Sequence, residues 1–239
     1  VNLQTIPREL KVVKECFVPK YDMFIFADYQ SIEMRLLAYY LFRTVKDESL
    51  VYEFENGIDP HTETASMLGV SRHEGKTLNF SIVYGGGAPT IMRQLDYSYN
   101  DAKRLLRKFH AARPGLKVLT EVAKSEFQKR GYVKTVNGRR VRPPSEHKVL
   151  NYIVQGSAAE LIKDAILYSY KDLRNAVSKL VLAVHDELVW DVTNGEFNEM
   201  CVHIPTWMRN NEKILQVIDT PVSISTTTTS WADKNELQT

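Results

Sequence analysis

Apolar and polar positions change period several times along this chain, and each change predicts an element. Phe24-Ile25-Phe26-Ala27 is a short β-prone run that closes on Asp28. From Ile32 to Phe42 apolar residues fall on most sides of a helix, which predicts a buried one. Asp59-Pro60 starts another helix, with Asp as cap and Pro at the first helical position. Ser71-x-x-Glu74 is a capping box that opens a helix over 71–84, and Gly85-Gly86-Gly87 stops it. Amphipathic spacing predicts helices over 100–109 and 116–129. Tyr132 to Arg142, centred on Asn137-Gly138, reads as a β-hairpin. After Pro143-Pro144 comes a long helix, 146–173. The β-rich stretch from Lys179 to Val192 is interrupted by His185-Asp186-Glu187, and Val217 to Trp231 is again strand-like. Strands at both ends with helices between predict an α+β domain whose sheet is split by a helical insertion.

Composition adds exclusions. With 239 residues, 44% apolar and 25% charged, the chain can bury a sizeable core and is not of a disordered class. The longest wholly apolar run, Leu36 to Phe42, has seven residues, far short of a bilayer span, so no membrane role is expected. The sequence shows no basic-then-apolar leader, so secretion is not expected. Cys16 and Cys201 are the only cysteines and lie 185 positions apart, which excludes a thiolate metal cluster and argues against a disulfide scaffold. A cytoplasmic setting is the expectation. The net charge of +2 hides an asymmetry. Between Lys103 and Lys148 stand fourteen Lys or Arg against three Glu, a local +11 that leaves −9 for the rest. Such a block suits a polyanionic partner, although solvated helix faces also account for blocks of this kind.

Two constellations carry candidate chemistry. Arg72, Lys76, Phe80 and Tyr84 are four apart, so neighbours differ by only ~40° and form one slowly winding stripe. Cations at a helix N-terminus oppose the macrodipole unless a polyphosphate docks there. The aromatics would then meet the nucleobase end. The alternative is an amphipathic helix with buried aromatics and solvated basic residues. The second constellation is Asp28, at the end of a strand, with Asp186 in a turn inside an apolar β run. Carboxylates so placed can converge on hard cations, and two such metals would serve an in-line phosphoryl displacement. Singly, each Asp also suits a turn. Asn151 and Gln155, four apart on one helix, place two amides where they can read minor-groove acceptors without sequence preference.

Asp28-Tyr29-Gln30-Ser31-Ile32-Glu33-Met34-Arg35, then Arg72-x3-Lys76-x3-Phe80-x3-Tyr84-Gly85, then His185-Asp186-Glu187 resemble motifs A, B and C of family A DNA polymerases, the DNA polymerase I family. Their order matches, and the likeness extends over essentially the whole chain. It includes Asn2 to Pro7, His61-x-x-Thr64-Ala65, Gly131-Tyr132-Val133-x-Thr135 with Gly138-Arg139-Arg140, and Asn151-x3-Gln155-Gly156-x-Ala158-Ala159.

The resemblance implies an antiparallel-sheet palm with an inserted helical fingers subdomain. The palm would comprise 1–35, with motif A, and 146–239, with motif C. The fingers would comprise 36–145, with the motif B helix 71–84 and much of the basic segment 103–148. It implies two Mg2+ ions held by Asp28, Asp186 and the Tyr29 carbonyl, with Glu187 in support. Arg72, Lys76 and His61 would grip the triphosphate, and Lys76 would also protonate departing pyrophosphate. Phe80 would lie by the deoxyribose, in the family version that discriminates against dideoxynucleotides. Tyr84 would sit near the templating base, and Glu33 would fill the space of a ribose 2′-OH. Gln30 would lie beneath the nucleotide. Asn151, Gln155, His185, Arg139 and Arg140 would contact primer–template DNA, and dNTPs would be the substrates.

The chain departs from the family in several places. Motif A usually reads Asp-Tyr-Ser-Gln, and the middle pair is swapped here to Gln30-Ser31. His147 stands where Arg is common. Gly75 lies inside the nucleotide helix, where it either loosens the fingers or marks a close packing contact. The Gly85-Gly86-Gly87 run lacks the Lys-Ser/Thr ending of a phosphate loop. No thumb or proofreading segment fits before Val1, so palm and fingers alone are expected, as a fragment or as half of a split polymerase served by a separate thumb or exonuclease chain. The compact, divergent motifs suggest a bacteriophage source, which would place the protein in host cytoplasm. Template-directed DNA synthesis is the expected activity. Its rivals are a catalytically silent nucleic-acid-binding or assembly subunit and another two-metal enzyme such as a nuclease.

Overall fold

The computed structural model describes residue 6 and residues 10–237; most of the Asn2 to Pro7 segment lies outside the described residues. The chain divides into two compact units. One comprises Val1–Ile32, Ala159–Leu215 and Asp219–Thr239, and the other Glu33–Ala158 with Gln216–Ile218.

The first unit is built on an antiparallel sheet. Strands β1 (Met23–Tyr29), β4 (Lys179–Val184), β5 (Glu187–Val192), β6 (Val222–Thr227) and β7 (Asn235–Glu236) take the order β4-β5-β1-β6-β7. The central strand β1 pairs with β5 and β6, and residues 24–27 are all buried, which is why this strand reads as a continuous apolar run rather than an alternation. On one face Phe24, Phe26 and Val189 pack with Trp231, which also meets Phe17 edge-on at 5.5 Å. On the other, the indole of Trp190 donates to Ser169 Oγ at 2.8 Å, from the long helix α9 (Val149–Asp172). Helix α10 (Phe197–Met208) joins it there, the Trp207 ring centroid 6.2 Å from that of Trp190. The short α1 (Lys11–Glu15) and α11 (Glu212–Leu215) flank the sheet segments in sequence.

The second unit is helical. It takes most of α2 (Ile32–Val45), then α3 (Ser49–Glu55), α4 (Pro60–Leu68), α5 (Arg72–Val83), α6 (Ala88–Leu95), α7 (Tyr99–Ala112) and α8 (Pro114–Arg130). A hairpin of β2 (Val133–Lys134) and β3 (Arg140–Val141), a 3-10 turn at Glu146–Lys148 and the first part of α9 complete it. The caps follow the sequence. Asp59 accepts from the His61 N–H to start α4 beside Pro60, and Gly69 ends that helix at φ +68°. Ser71 and Glu74 close the capping box of α5, and Gly131 ends α8 in the left-handed region.

The sheet split by a helical insertion is therefore present, with local corrections. The hairpin strands have only two residues each, with Gly138 at φ +87° in the turn between them. The segment before α9 is a 3-10 turn rather than α-helix. The interruption of the β run is His185-Asp186 alone, because Glu187 already pairs in β5. Most of the strand-like stretch 217–231 is not strand; β6 begins at Val222. Helices α1, α3, α6, α10 and α11 and strand β7 fall outside the elements that the sequence predicts.

Candidate active site

In the sheet unit, pairing register places the acidic residues. Asp28 on β1 lies directly opposite Glu187 on β5, and Asp186 occupies the two-residue turn that joins β4 to β5 through Val184↔Glu187. Directly paired antiparallel residues have Cα atoms about 4.5–5.5 Å apart, so three carboxylate residues share one end of the sheet. That turn and the chain just past β1 both carry a non-glycine residue in the left-handed region, His185 and Ser31, each at φ +57°. Such backbone is uncommon and collects at functional sites. Tyr29 is buried, and its hydroxyl donates to the Met208 carbonyl at 2.6 Å. Burial, reinforced by the charge of Asp164, pushes the Tyr29 phenol well above its ordinary range. Its anchored side chain fixes the backbone next to Asp28. The Gln30 N–H donates to the Pro221 carbonyl, and both Gln30 and His185 are exposed.

An oxygen-only donor set of this kind fits a hard divalent cation. The fit belongs to the two aspartates rather than to all three acids. Glu187 is ion-paired with Lys234, whose ammonium also lies 4.4 Å from the Phe26 ring centre. Among the described residues no group of three His, Cys, Asp or Glu converges as a ready metal centre.

In the helical unit the four-residue stripe is realised on α5. Phe80 and Tyr84 stack with ring centres 5.8 Å apart and planes 14° from parallel. The Lys76 ammonium lies 5.9 Å from the Phe80 centre and forms no ion pair among the described residues. A cavity of about 380 Å³ runs along this face, lined by Lys76, Phe80 and Tyr84 together with His73, Thr77, Ser81 and Gln94. Arg72 is exposed, and its Nε donates to Asp59 Oδ2 at 2.6 Å. Burial alone would raise the Asp59 carboxyl, yet bonds from Thr62, Arg72 and the His61 N–H outweigh it and hold the group below its usual range. Tyr84 donates its hydroxyl to both Glu33 oxygens, at 3.1 and 2.8 Å. The Gln155 amide reaches Glu33 Oε1 at 3.5 Å. Tyr84 and Gln155 thus meet at Glu33.

His61 is buried, its ring centre 5.4 Å from that of Phe80. Burial lowers the pKa of its imidazole, and Arg72, Lys76 and Arg113 lower it further against the opposing pull of Asp59. Gly75 explains how α4 comes so close: a Cβ there would lie 2.4 Å from the His61 carbonyl oxygen. The glycine marks a close packing contact. Asn151 and Gln155 share α9 as expected; Gln155 is exposed, whereas Asn151 Oδ1 is buried and accepts no hydrogen bond. The basic hairpin is fixed to that helix, with Arg139 donating to the Gly156 carbonyl at 3.1 Å and the Val136 N–H to Ser157 Oγ at 3.1 Å. Arg140 stacks on Tyr132, 4.9 Å from its ring centre. Of the fourteen cations between Lys103 and Lys148, twelve are exposed; Arg113 is fully buried and is no surface contact.

Sequence reasoning gave no site role to Thr77, Gln94, the His61 partner Asn79, or Thr64, Arg113 and Glu53 behind it. One signal was present. Gly75, Leu78, Asn79 and Ile82 follow the spacing of the buried face of α5, and an Asn on such a face must bond inward.

The fold agrees with the comparisons. The family model described as DNA polymerase family A matches residues 1–233. This chain belongs to the family A DNA polymerases. It is 33% identical to DNA polymerase I of Lactococcus lactis over 235 residues, covering 87% of this chain and 26% of that protein. It is also 33% identical to the DNA polymerase of Mycobacterium phage L5 over 207 residues, covering 85% of this chain and 34% of that one. Among solved structures, the POL domain of Pol1 from M. smegmatis, in complex with DNA primer-template and dNTP, superimposes with a TM-score of 0.84 at 28% identity. That match covers 97% of this chain and 44% of the other. The chain thus spans between a quarter and a third of these curated relatives.

Proposed function

We propose that this chain performs template-directed addition of deoxynucleotides to a primer 3′-OH, with the sheet-bearing segments as palm and the helical segments between them as fingers. The observation that carries the reading is the strand pairing that puts Asp28 opposite Glu187 with Asp186 in the adjoining turn. Asp28, Asp186 and the Tyr29 carbonyl would hold two Mg2+ ions. When bound, such ions lower the pKa of an attacking hydroxyl and neutralise charge on the transferred phosphate. Lys234 keeps Glu187 charge-balanced, so that Glu187 supports the aspartates rather than competing with them.

Arg72 and Lys76 bind the triphosphate, and Lys76 gives its proton to departing pyrophosphate. Phe80, held between His61 and Tyr84, forms the floor for the sugar. Glu33, fixed by the Tyr84 hydroxyl, excludes a ribose 2′-OH. Tyr84 meets the templating base, and Gln30 lies beneath the nucleotide. Asn151, Gln155, His185 and the Arg139-Arg140 hairpin contact primer–template, and the exposed basic block neutralises phosphates without reading sequence.

Pyrophosphate release tests the assignment. We expect release from the full chain with Mg2+ and primer–template only when the dNTP matches the templating base. Release that ignores the template, or DNA cleavage in its place, contradicts it. A silent assembly subunit would need neither the aspartates nor the cations of α5.

A further inference from the structure

A buried chain of polar groups behind the nucleotide helix carries an assignment of donors that is fixed at each step by what each group can do. Arg113 and Glu53 are both about 4% exposed, and the guanidinium donates to the two carboxylate oxygens at 2.9 and 3.1 Å. Its Nε faces Thr64 Oγ1 at 3.1 Å. A guanidinium only donates, so the threonine oxygen accepts there and its O–H is left to donate. That hydroxyl lies 3.2 Å from Asn79 Oδ1.

The other end of the Asn79 amide faces the Pro60 carbonyl at 3.2 Å and His61 Nδ1 at 3.0 Å. A carbonyl only accepts, so the atom facing it must be the NH2 group. The same NH2 then spends its second hydrogen on His61, which makes Nδ1 an acceptor. A neutral imidazole with Nδ1 unprotonated carries its proton on Nε2. Thr64 and Asn79 are 1% and 2% exposed, so water cannot scramble the order. Among the described residues Nε2 itself has no hydrogen-bond partner.

We propose that Asn79 is a positioning residue: its amide holds His61 in the Nε2–H tautomer, so that a neutral ring beside Arg72, Lys76 and Phe80 offers one fixed donor to the phosphates of a nucleoside triphosphate. This rests on the nucleotide-binding reading of α5. The backbone contact of Gly75 with the His61 carbonyl sets the distance of the ring from the helix. The amide sets its orientation and its proton. The remote pair Arg113–Glu53 closes the chain by leaving Thr64 one direction in which to donate.

Long-range proton–nitrogen correlation spectra of the 15N-histidine-labelled full chain read the tautomer directly. In the unsubstituted protein the His61 resonances should show Nδ1 unprotonated and Nε2 protonated at neutral pH. Asn79→Asp keeps the shape but offers only an acceptor, and should move the proton to Nδ1. Binding of inorganic triphosphate, followed by calorimetry, should weaken at least tenfold in the same variant. A proton on Nδ1 in the unsubstituted chain overturns the proposal, even if Asn79→Asp fails to fold. So does an unchanged tautomer in a folded Asn79→Asp. Should the tautomer be as stated while the unsubstituted chain binds no triphosphate, the nucleotide reading falls and the phosphate role of His61 falls with it.

Discussion

At position 75 a glycine occupies the middle of α5, where intrinsic propensity favours alanine by about 1 kcal/mol. The added methyl would lie 2.4 Å from the His61 carbonyl oxygen and 3.0 Å from the Ala65 nitrogen, both backbone atoms that can yield only if α4 shifts. Overpacking of this kind costs about 1–3 kcal/mol, which exceeds the propensity gain. Gly75→Ala should therefore lower stability in urea denaturation, and a stabilised variant would contradict the packing argument. Glu187 offers a second comparison at this scale. Because Lys234 already balances its charge, Glu187→Gln should reduce nucleotide addition by about 10–100-fold, the range for groups that support metal ligands rather than bind the ion. A loss as deep as that of either aspartate variant would make Glu187 a ligand in its own right.

Among the elements, the buried pair Arg113–Glu53 joins the start of α8 to α3 and, through Thr64, to α4. Removing one partner leaves an uncompensated buried charge and costs about 3–5 kcal/mol. Arg113→Met should show that loss, and Glu53→Leu combined with it should recover most of it, as two melting curves would reveal; equal stability of single and double variants would refute the coupling.

Which helices were legible in the sequence follows from a capping signal or a regular apolar spacing. Helices α4 and α5 announce themselves through Asp59 and Ser71, whose side chains bond the first turn, and α7 and α8 through amphipathic spacing. Helices α3, α6 and α10 have no side-chain cap bond, and α10 contains Pro205 in its interior. Packing forms them instead, through residues such as Ile91, Met200 and Trp207. The site divides in the same way. Asp28, Asp186 and the α5 stripe could be read because local spacing places them. The Arg113–Glu53 pair joins residues sixty positions apart, and no local pattern announces it.

Taken whole, the molecule couples folding to pH through histidines that burial shifts, the buried His61 and the half-buried His110. His110 has its imidazole pKa lowered by burial and by the nearby Lys117, and its Nδ1 is buried without a hydrogen-bond partner. A lowered folded-state pKa means that the unfolded chain binds more protons in acid. Stability is therefore full above the ordinary histidine pKa of about 6.5 and declines as pH falls through the folded value. His110→Gln should flatten the rise of unfolding free energy between about pH 5 and 7, measured by denaturation at a series of pH values; an unchanged slope would remove His110 from the account.

The larger claim concerns Asp28 and Asp186, which the sheet brings to one end although 157 residues separate them in sequence. Single-nucleotide extension of a labelled primer–template by the full chain with Mg2+, beside Asp186→Ala, tests it most directly. The account predicts templated extension by the unsubstituted chain and its loss in the variant. Undiminished extension by Asp186→Ala, or none by the folded unsubstituted chain at high DNA concentration, would contradict it.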